Sequence, residues 1–188
     1  MIATSSNLLV QGFAGAMNNI PIPSMDEQVQ SHITHSSRSS DYDTTLFVIL
    51  TGGNDVFFNP DISGIRSAAA VSSAVTQLQH AGARHFLLPS YPDLMLIPYA
   101  AFIDDMAMKD KLKAWGSTHA AAIRTLCATI PHCLSLDLAK LFRRFYYYGE
   151  PAAYGFEPFG AYGSCLVGAY GETPDVTLCP EPGKRVFW

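Results

Sequence analysis

The sequence predicts an α/β domain built on a parallel sheet, because short apolar runs alternate with longer amphipathic segments. The runs at 46–50, 85–88 and 133–136 are continuous, as expected of strands in a buried parallel sheet. In the segment after each of the first two runs, apolar residues recur every three or four positions, which is typical of a helix. Strands that alternate with helices form parallel sheets with right-handed crossovers.

Length and composition set limits on the class of protein. The chain has 188 residues, so we expect one domain over 1–188. Its apolar content of 48% and charged content of 15% exclude a disordered chain. The net charge of −4 argues against a nucleic-acid partner, and no apolar run reaches the roughly 18 residues of a membrane span. The sequence leaves the oligomeric state open.

The N-terminal segment, 1–40, is predicted to be irregular except for one short helix. That helix should cover about Met25–Ile33, with Ser24 as N-cap and Glu27 at the capping-box position. His32 and His35 have an H-x-x-H spacing in a Ser-rich tract that lacks a nearby acidic third ligand. We interpret them as solvated loop histidines and expect no metal and no cofactor.

The first strand and helix have clear borders. Asp43 precedes the run Leu46–Leu50 and Gly52 follows it, so we expect a strand that is buried on both faces. A helix should follow over about Ser67–His80, with its stop at Gly82. The apolar face of this helix consists of Val71, Val75 and Leu78.

The same pattern occurs twice more. His85–Leu88 should be the second strand, ended by Pro89 and Pro92, and the second helix should cover about Lys109–Ile130. Asp104, Asp105 and Asp110 are interpreted as the solvated start of this helix. Its apolar face is formed by Leu112, Trp115, His119, Ile123 and Leu126.

The last regular elements are shorter. Cys133–Leu136 should be a third strand, after which Asp137 can cap a helix. The apolar positions of that helix are Leu138, Leu141, Phe142 and Phe145. The aromatic tract 145–148 favours local packing over base or sugar stacking, since no basic field surrounds it. Residues 148–188 are rich in Gly, Pro and aromatic residues, which indicates an ordered surface excursion.

The candidate site follows the first strand. In open α/β sheets, ligands bind beyond the carboxyl ends of the strands, so the candidate loops are Thr51–Pro60, Pro89–Pro98 and the segment from Asp137. Gly52 and Gly53 allow a sharp turn, and Asn54 can direct an amide N–H at an oxyanion without a titrating proton. The alternative is a simple turn in which Asn54 tolerates the left-handed conformation.

The four cysteines are Cys127, Cys133, Cys165 and Cys179, and no pair has the C-x-x-C spacing of zinc or thioredoxin-like chemistry. Cys165 and Cys179 flank a stretch that a crosslink would help to order. A disulfide between these two and buried free thiols both remain open on composition.

With its flanking segments, the run Leu46–Asp55 resembles the GDSL (SGNH) esterase family of the secreted plant and fungal type. LFVILTGGND is similar to the family's third block, G-x-N-D, in which the Asn donates to the oxyanion hole. Asn54 is the matching residue, and Gly52, Gly53 and Asp55 support it. Five further stretches are similar in register, namely 21–24 with 28–29, 84–94, 98–100, 154–156, and the cysteine pair with 186–188.

The departures from the family concern the catalytic groups. The sequence contains no Gly-Asp-Ser, no Asp followed three positions later by His, and Met1-Ile2 where the second-block glycine is expected. The resemblance therefore implies an incomplete three-layer α/β/α fold of the flavodoxin-like SGNH type, without its first strand and last helix. We expect the edge of Leu46–Leu50 to be unpaired unless another segment covers it.

The resemblance implies a parent enzyme that hydrolyses acyl or acetyl esters of a small molecule or glycan. This chain carries the oxyanion donor Asn54 but neither nucleophile nor base, so we expect little turnover from it alone. The alternatives are a pseudoenzyme that binds a sugar or lipid ester beside Asn54, or an unrelated α/β domain. The family's members are secreted, although the first ten residues lack a signal-peptide pattern.

Overall fold

A computed structural model gives the architecture of the chain. It describes residues 2–3, 12–14, 20–36, 41–97, 100, 103–147, 150–157, 165–167 and 177–185. The strands are β1 (Ile2–Ala3), β2 (Gly12–Ala14), β3 (Ile20–Ile22), β4 (Leu46–Leu50), β5 (His85–Pro89), β6 (Cys133–Leu136), β7 (Leu166–Val167) and β8 (Thr177–Leu178). The helices are α1 (Met25–His35), α2 (Gly53–Phe58), α3 (Gly64–His80), α4 (Met106–Ala128) and α5 (Leu138–Tyr147).

The main sheet is parallel and has the order β1-β4-β5-β6. Its three longer strands are the predicted ones, and helices lie between them in the chain, so the α/β prediction is confirmed. In the register of β4 and β5, Leu46 lies opposite His85 and Val48 opposite Leu87. This register brings the carboxyl ends of the two strands side by side.

The N-terminal segment contains more structure than we predicted. β1 pairs with the end of β4, Ile2 opposite Ile49 and Ala3 opposite Leu50, so part of the edge that we expected to be unpaired is covered. β2 and β3 form a separate antiparallel pair. The β1–β4 pairing joins segments far apart in sequence, and β2 and β3 have only three residues each, so neither feature leaves a periodicity that the sequence could show.

Capping side chains set the helix ends. α1 has the predicted capping box, in which the Glu27 N–H donates to Ser24 Oγ at 3.3 Å and the Ser24 N–H donates to Glu27 Oε2 at 2.7 Å. Asp137 caps α5 as predicted, since its Oδ1 accepts from the Lys140 N–H at 2.8 Å. α4 begins at Met106, three residues before the predicted start, because Asp105 caps it.

α3 also begins three residues before its predicted start, at Gly64, because Ser63 caps it and accepts from the Arg66 N–H. Gly64 lies against the backbone of α4. A Cβ atom at this position would be 2.3 Å from the Trp115 carbonyl oxygen and 2.4 Å from the His119 backbone nitrogen. The two helices can therefore approach each other closely at Gly64.

Two predictions about exposed segments need correction. His32 and His35 lie on α1, where His32 stacks on Tyr42 with 5.5 Å between ring centroids, so they are not loop residues. α1 also ends at His35, two residues beyond the predicted end at Ile33. Pro98, Tyr99, the tract 37–40 and the segments 148–149 and 186–188 lie outside the described residues.

The sheet has one covered face and a second, more open face, on which Val48, Leu50 and Leu87 are half-buried. Phe47, Ile49, Phe86 and Leu88 are buried against α1, α3 and α4 in the main core. On the opposite face Leu46 is 53% exposed, Leu134 is 67% exposed and Leu136 is 42% exposed. The prediction that Leu46–Leu50 is buried on both faces is therefore wrong, because these helices pack against only one of them.

The four cysteines form two disulfides, and none is free. Cys165 and Cys179 are bonded, and the Cys179 N–H also donates to the Cys165 carbonyl oxygen at 2.9 Å beside the β7–β8 pair. Cys127 and Cys133 are bonded across the turn that joins α4 to β6. The sequence alone did not indicate this second pair.

Candidate active site

The Gly-Gly-Asn-Asp segment forms a tight bend at the carboxyl end of β4. Gly52 has a φ of +111°, a left-handed conformation that favours glycine, and it is the N-cap of α2. Gly53, Asn54 and Asp55 form the first turn of this helix. The left-handed residue is thus Gly52, and the alternative in which Asn54 adopts that conformation is wrong.

Two aromatic rings lie directly against this bend. A Cβ atom at Gly53 would lie 2.3 Å from the Tyr91 ring, and one at Gly52 would lie 2.9 Å from the Trp115 ring. The rings of Tyr91 and Trp115 meet edge to face with their centroids 5.7 Å apart. Close packing against the rings therefore favours glycine at both positions, and the left-handed turn favours it at Gly52 as well.

The polar side chains of the bend differ in burial. Asp55 is buried, and Asn54 is only partly buried at the surface of the sheet's carboxyl edge. An Asn side chain in this position can donate an N–H to a ligand beyond the strand ends. The bend brings Gly52, Gly53, Asn54 and Asp55 together as one compact unit, whereas Cys165 and Cys179 belong to the separate β7–β8 pair.

Two hydroxyl groups near the bend were missed by the sequence analysis. Thr51 and Ser90 are buried, and each follows one of the neighbouring strands β4 and β5 directly. Within the described residues neither hydroxyl oxygen has a hydrogen-bond partner. Their position after a predicted strand was the available signal, but a single Ser or Thr carries little information without its neighbours.

His119 was predicted on the apolar face of its helix and lies there. Its ring stacks on Trp115 with 4.7 Å between centroids, and Trp115 Nε1 donates to Ser67 Oγ at 3.2 Å. The side chain is 1% exposed, and burial lowers the pKa of His119 from 6.5 to about 4. The imidazole is therefore neutral near pH 7.

A cleft of about 290 Å³ lies on the other side of Tyr91, between α4 and α5. Asn54 is not among its lining residues. Charged side chains of both signs line it together with Tyr91, namely Asp93, Lys113, Arg124, Asp137 and Arg143. The loops after β5 and β6, which the sequence placed at the carboxyl edge, thus form this cleft rather than a single site with the bend.

In the described part of the chain, no group of three or more His, Cys, Asp and Glu residues is arranged to hold a metal ion. None of the described helices combines the length and the apolar character needed to cross a bilayer.

Comparison with known proteins gives a partial match to a curated protein. No family model matches the sequence. Over 110 residues the chain is 31% identical to the thermolabile hemolysin of Vibrio parahaemolyticus serotype O3:K6 (strain RIMD 2210633). The aligned part is 57% of this chain and 26% of the hemolysin, so the chain spans about a quarter of the length of this curated relative.

Proposed function

We propose that this chain is part of an ester hydrolase of the GDSL (SGNH) class, with Asn54 as an oxyanion-hole donor. The observation that carries the proposal is the position of the Gly-Gly-Asn-Asp bend, which begins a helix at the carboxyl end of β4. The resemblance of 46–55 to the family's third block supports the same assignment. Because the relative comes from a bacterium, the plant or fungal type is not part of the proposal.

The chemistry assigned to Asn54 is electrostatic. Attack on an ester carbonyl places negative charge on its oxygen, and a fixed amide N–H at this point lowers the barrier. Asn54 can supply that N–H without a net charge, and the packing of Tyr91 and Trp115 on the two glycines holds the bend rigid. Hydrolysis of lipid esters can damage a membrane, which agrees with the name of the relative, a hemolysin.

Asn54 alone does not complete the reaction. The sequence has no Gly-Asp-Ser block for the nucleophile and no Asp-x-x-His block for the base. An oxyanion donor without these groups retains only a residual acceleration. We therefore propose that the 188 residues alone have little or no turnover and that the two missing blocks are encoded in flanking sequence.

Substitution of Asn54 tests the proposal in the gene product that includes the flanking sequence. We expect Asn54→Ala to lower kcat for a short-chain nitrophenyl ester by about a hundred- to a thousandfold with little change in KM. Asn59→Ala, at the exposed end of the same helix, is the matched control and should keep kcat. Full activity of Asn54→Ala, or flanking sequence without either block, would contradict the proposal.

The isolated chain provides the second arm of this test. We expect no labelling by a fluorophosphonate probe and no ester turnover above background. Labelling and turnover that disappear in Ser90→Ala would place a nucleophile inside the chain and refute its inactivity. Saturable binding of an ester without turnover, weakened by Asn54→Ala, would favour the alternative of a ligand-binding pseudoenzyme.

A further inference from the structure

The cleft between α4 and α5 has a floor of small residues and a cationic side chain at each end of one helix face. Lys113, Ser117, Ala120 and Arg124 recur at steps of four, three and four residues, so they share one face of α4. The small side chains between the two cations leave the open volume of about 290 Å³. This volume is close to the lower end of the range for small-molecule sites.

A third cation enters the cleft from α5. Arg143 lines it together with Asp93 and Asp137, so three cations face two carboxylates. The local balance is positive although the whole chain carries a net charge of −4. A positive cleft in an acidic chain is unexpected from composition and indicates a local preference for an anion.

The two carboxylates only partly neutralise these cations. Asp93 Oδ1 accepts from the Met95 N–H at 3.0 Å, and Asp137 Oδ1 accepts from the Lys140 N–H at 2.8 Å, so each carboxylate already caps a helical turn. Their remaining oxygens lie 3.8 Å from Arg143 and 4.0 Å from Arg124. These separations are ion pairs without a hydrogen bond, so within the described residues the two carboxylates leave the guanidinium donors available.

We propose that this cleft binds a small ligand through an oxyanion group, a phosphate or a carboxylate. Arg124 and Arg143 hold the oxyanion through charge-assisted hydrogen bonds, and Lys113 strengthens the positive potential at the other end of the cleft. The rest of the ligand lies on the floor at Ser117 and Ala120 against Tyr91. The inference is independent of the ester hydrolase proposal, because Asn54 takes no part in the cleft.

Calorimetric titration of the 188-residue protein tests this inference, with phenyl phosphate, benzoate and inorganic phosphate as the probes. We expect saturable binding of at least one probe. Preference for phenyl phosphate would identify a phosphate ligand, and preference for benzoate a carboxylate. Arg124→Gln and Arg143→Gln should each weaken the binding about tenfold or more, since each removes a charged donor.

Two further variants distinguish a change in ligand binding at the cleft from damage to the fold. Asp93→Asn keeps the cap on Met95 but removes the negative charge beside Arg143, so it should tighten binding, which a merely damaged fold does not do. Arg66→Gln, on the exposed surface of α3 outside the cleft, should leave the affinity unchanged. The absence of saturable binding, or an equal loss in Arg66→Gln, would overturn the inference.

Discussion

The two faces of the main sheet carry similar apolar side chains in very different surroundings. On the covered face, Phe86 and Leu88 of β5 are fully buried against the helices. On the open face, Leu134 and Leu136 of β6 are largely exposed. The same residue type thus stabilises the fold on one side and contributes little on the other. Apolar side chains in a strand are therefore not enough to predict burial. Burial depends on which face of the sheet the helices pack against.

The largest expected effect separates the two faces directly. Leu88→Ala should lower the free energy of unfolding by about 2–5 kcal/mol, because it leaves a cavity in a packed core. Leu134→Ala makes the same chemical change at a 67% exposed position and should stay within about 0.5 kcal/mol of the parent. Urea denaturation measures both. Equal losses would show that the open face is covered in solution.

The second effect is a loss of stability at low pH, which comes from His119 on α4, a helix that packs on the covered face. The pKa of His119 is about 4 in the folded chain against 6.5 when unfolded, so between these values the unfolded state binds the extra proton. The free energy of unfolding should therefore fall as the pH decreases from 6.5 to 4, by about 3 kcal/mol in total. Above pH 6.5 His119 should make no contribution to the pH dependence.

His119→Phe tests this effect because the new ring can keep its stack on Trp115 and does not titrate. Denaturation at several pH values should show that the decrease between pH 6.5 and 4 becomes smaller in this variant. Gln79→Ala, at an exposed position of α3, changes no titrating group and should leave the slope unchanged. An unchanged slope in His119→Phe would assign the acid sensitivity to other groups.

The smallest effect concerns α1, which also packs on the covered face. Ser24→Ala removes the side-chain half of the capping box and should cost about 1 kcal/mol of unfolding free energy. Ser24→Thr keeps a hydroxyl acceptor and should recover most of this loss. Thermal unfolding followed by circular dichroism compares the three proteins. A loss as large as that of Leu88→Ala would mean that the cap controls the docking of the whole helix.

Local signals account for the parts of the fold that the sequence predicted. Ser24 with Glu27, and Asp137 before α5, cap helices through residues three positions apart, so their pattern is visible in a short window. β1 and the open face depend on segments that meet only after folding, and the Cys127–Cys133 bond, although its residues are six apart, depends on the turn that joins α4 to β6. The sequence therefore predicted the strands, the helices and their incomplete α/β/α arrangement better than the cover of the sheet's edge and faces.

The candidate site also has parts that local sequence predicted and parts that it did not. A strand followed by two glycines was enough to place the bend at the carboxyl edge. Tyr91 packs over Gly53 and so brings two loops together. No residue spacing in the sequence predicts this contact. The role of Asn54 as an oxyanion donor remains a prediction, since it depends on groups that this sequence does not contain.

The close approach of α3 and α4 at Gly64 restricts how sequences related to this one can diverge. Any side chain there would meet main-chain atoms of the neighbouring helix, which do not rotate away as a flexible side chain does. Gly183, by contrast, has open space where a Cβ atom would go. Over evolutionary time, drift should therefore replace the second glycine freely and leave the first one fixed.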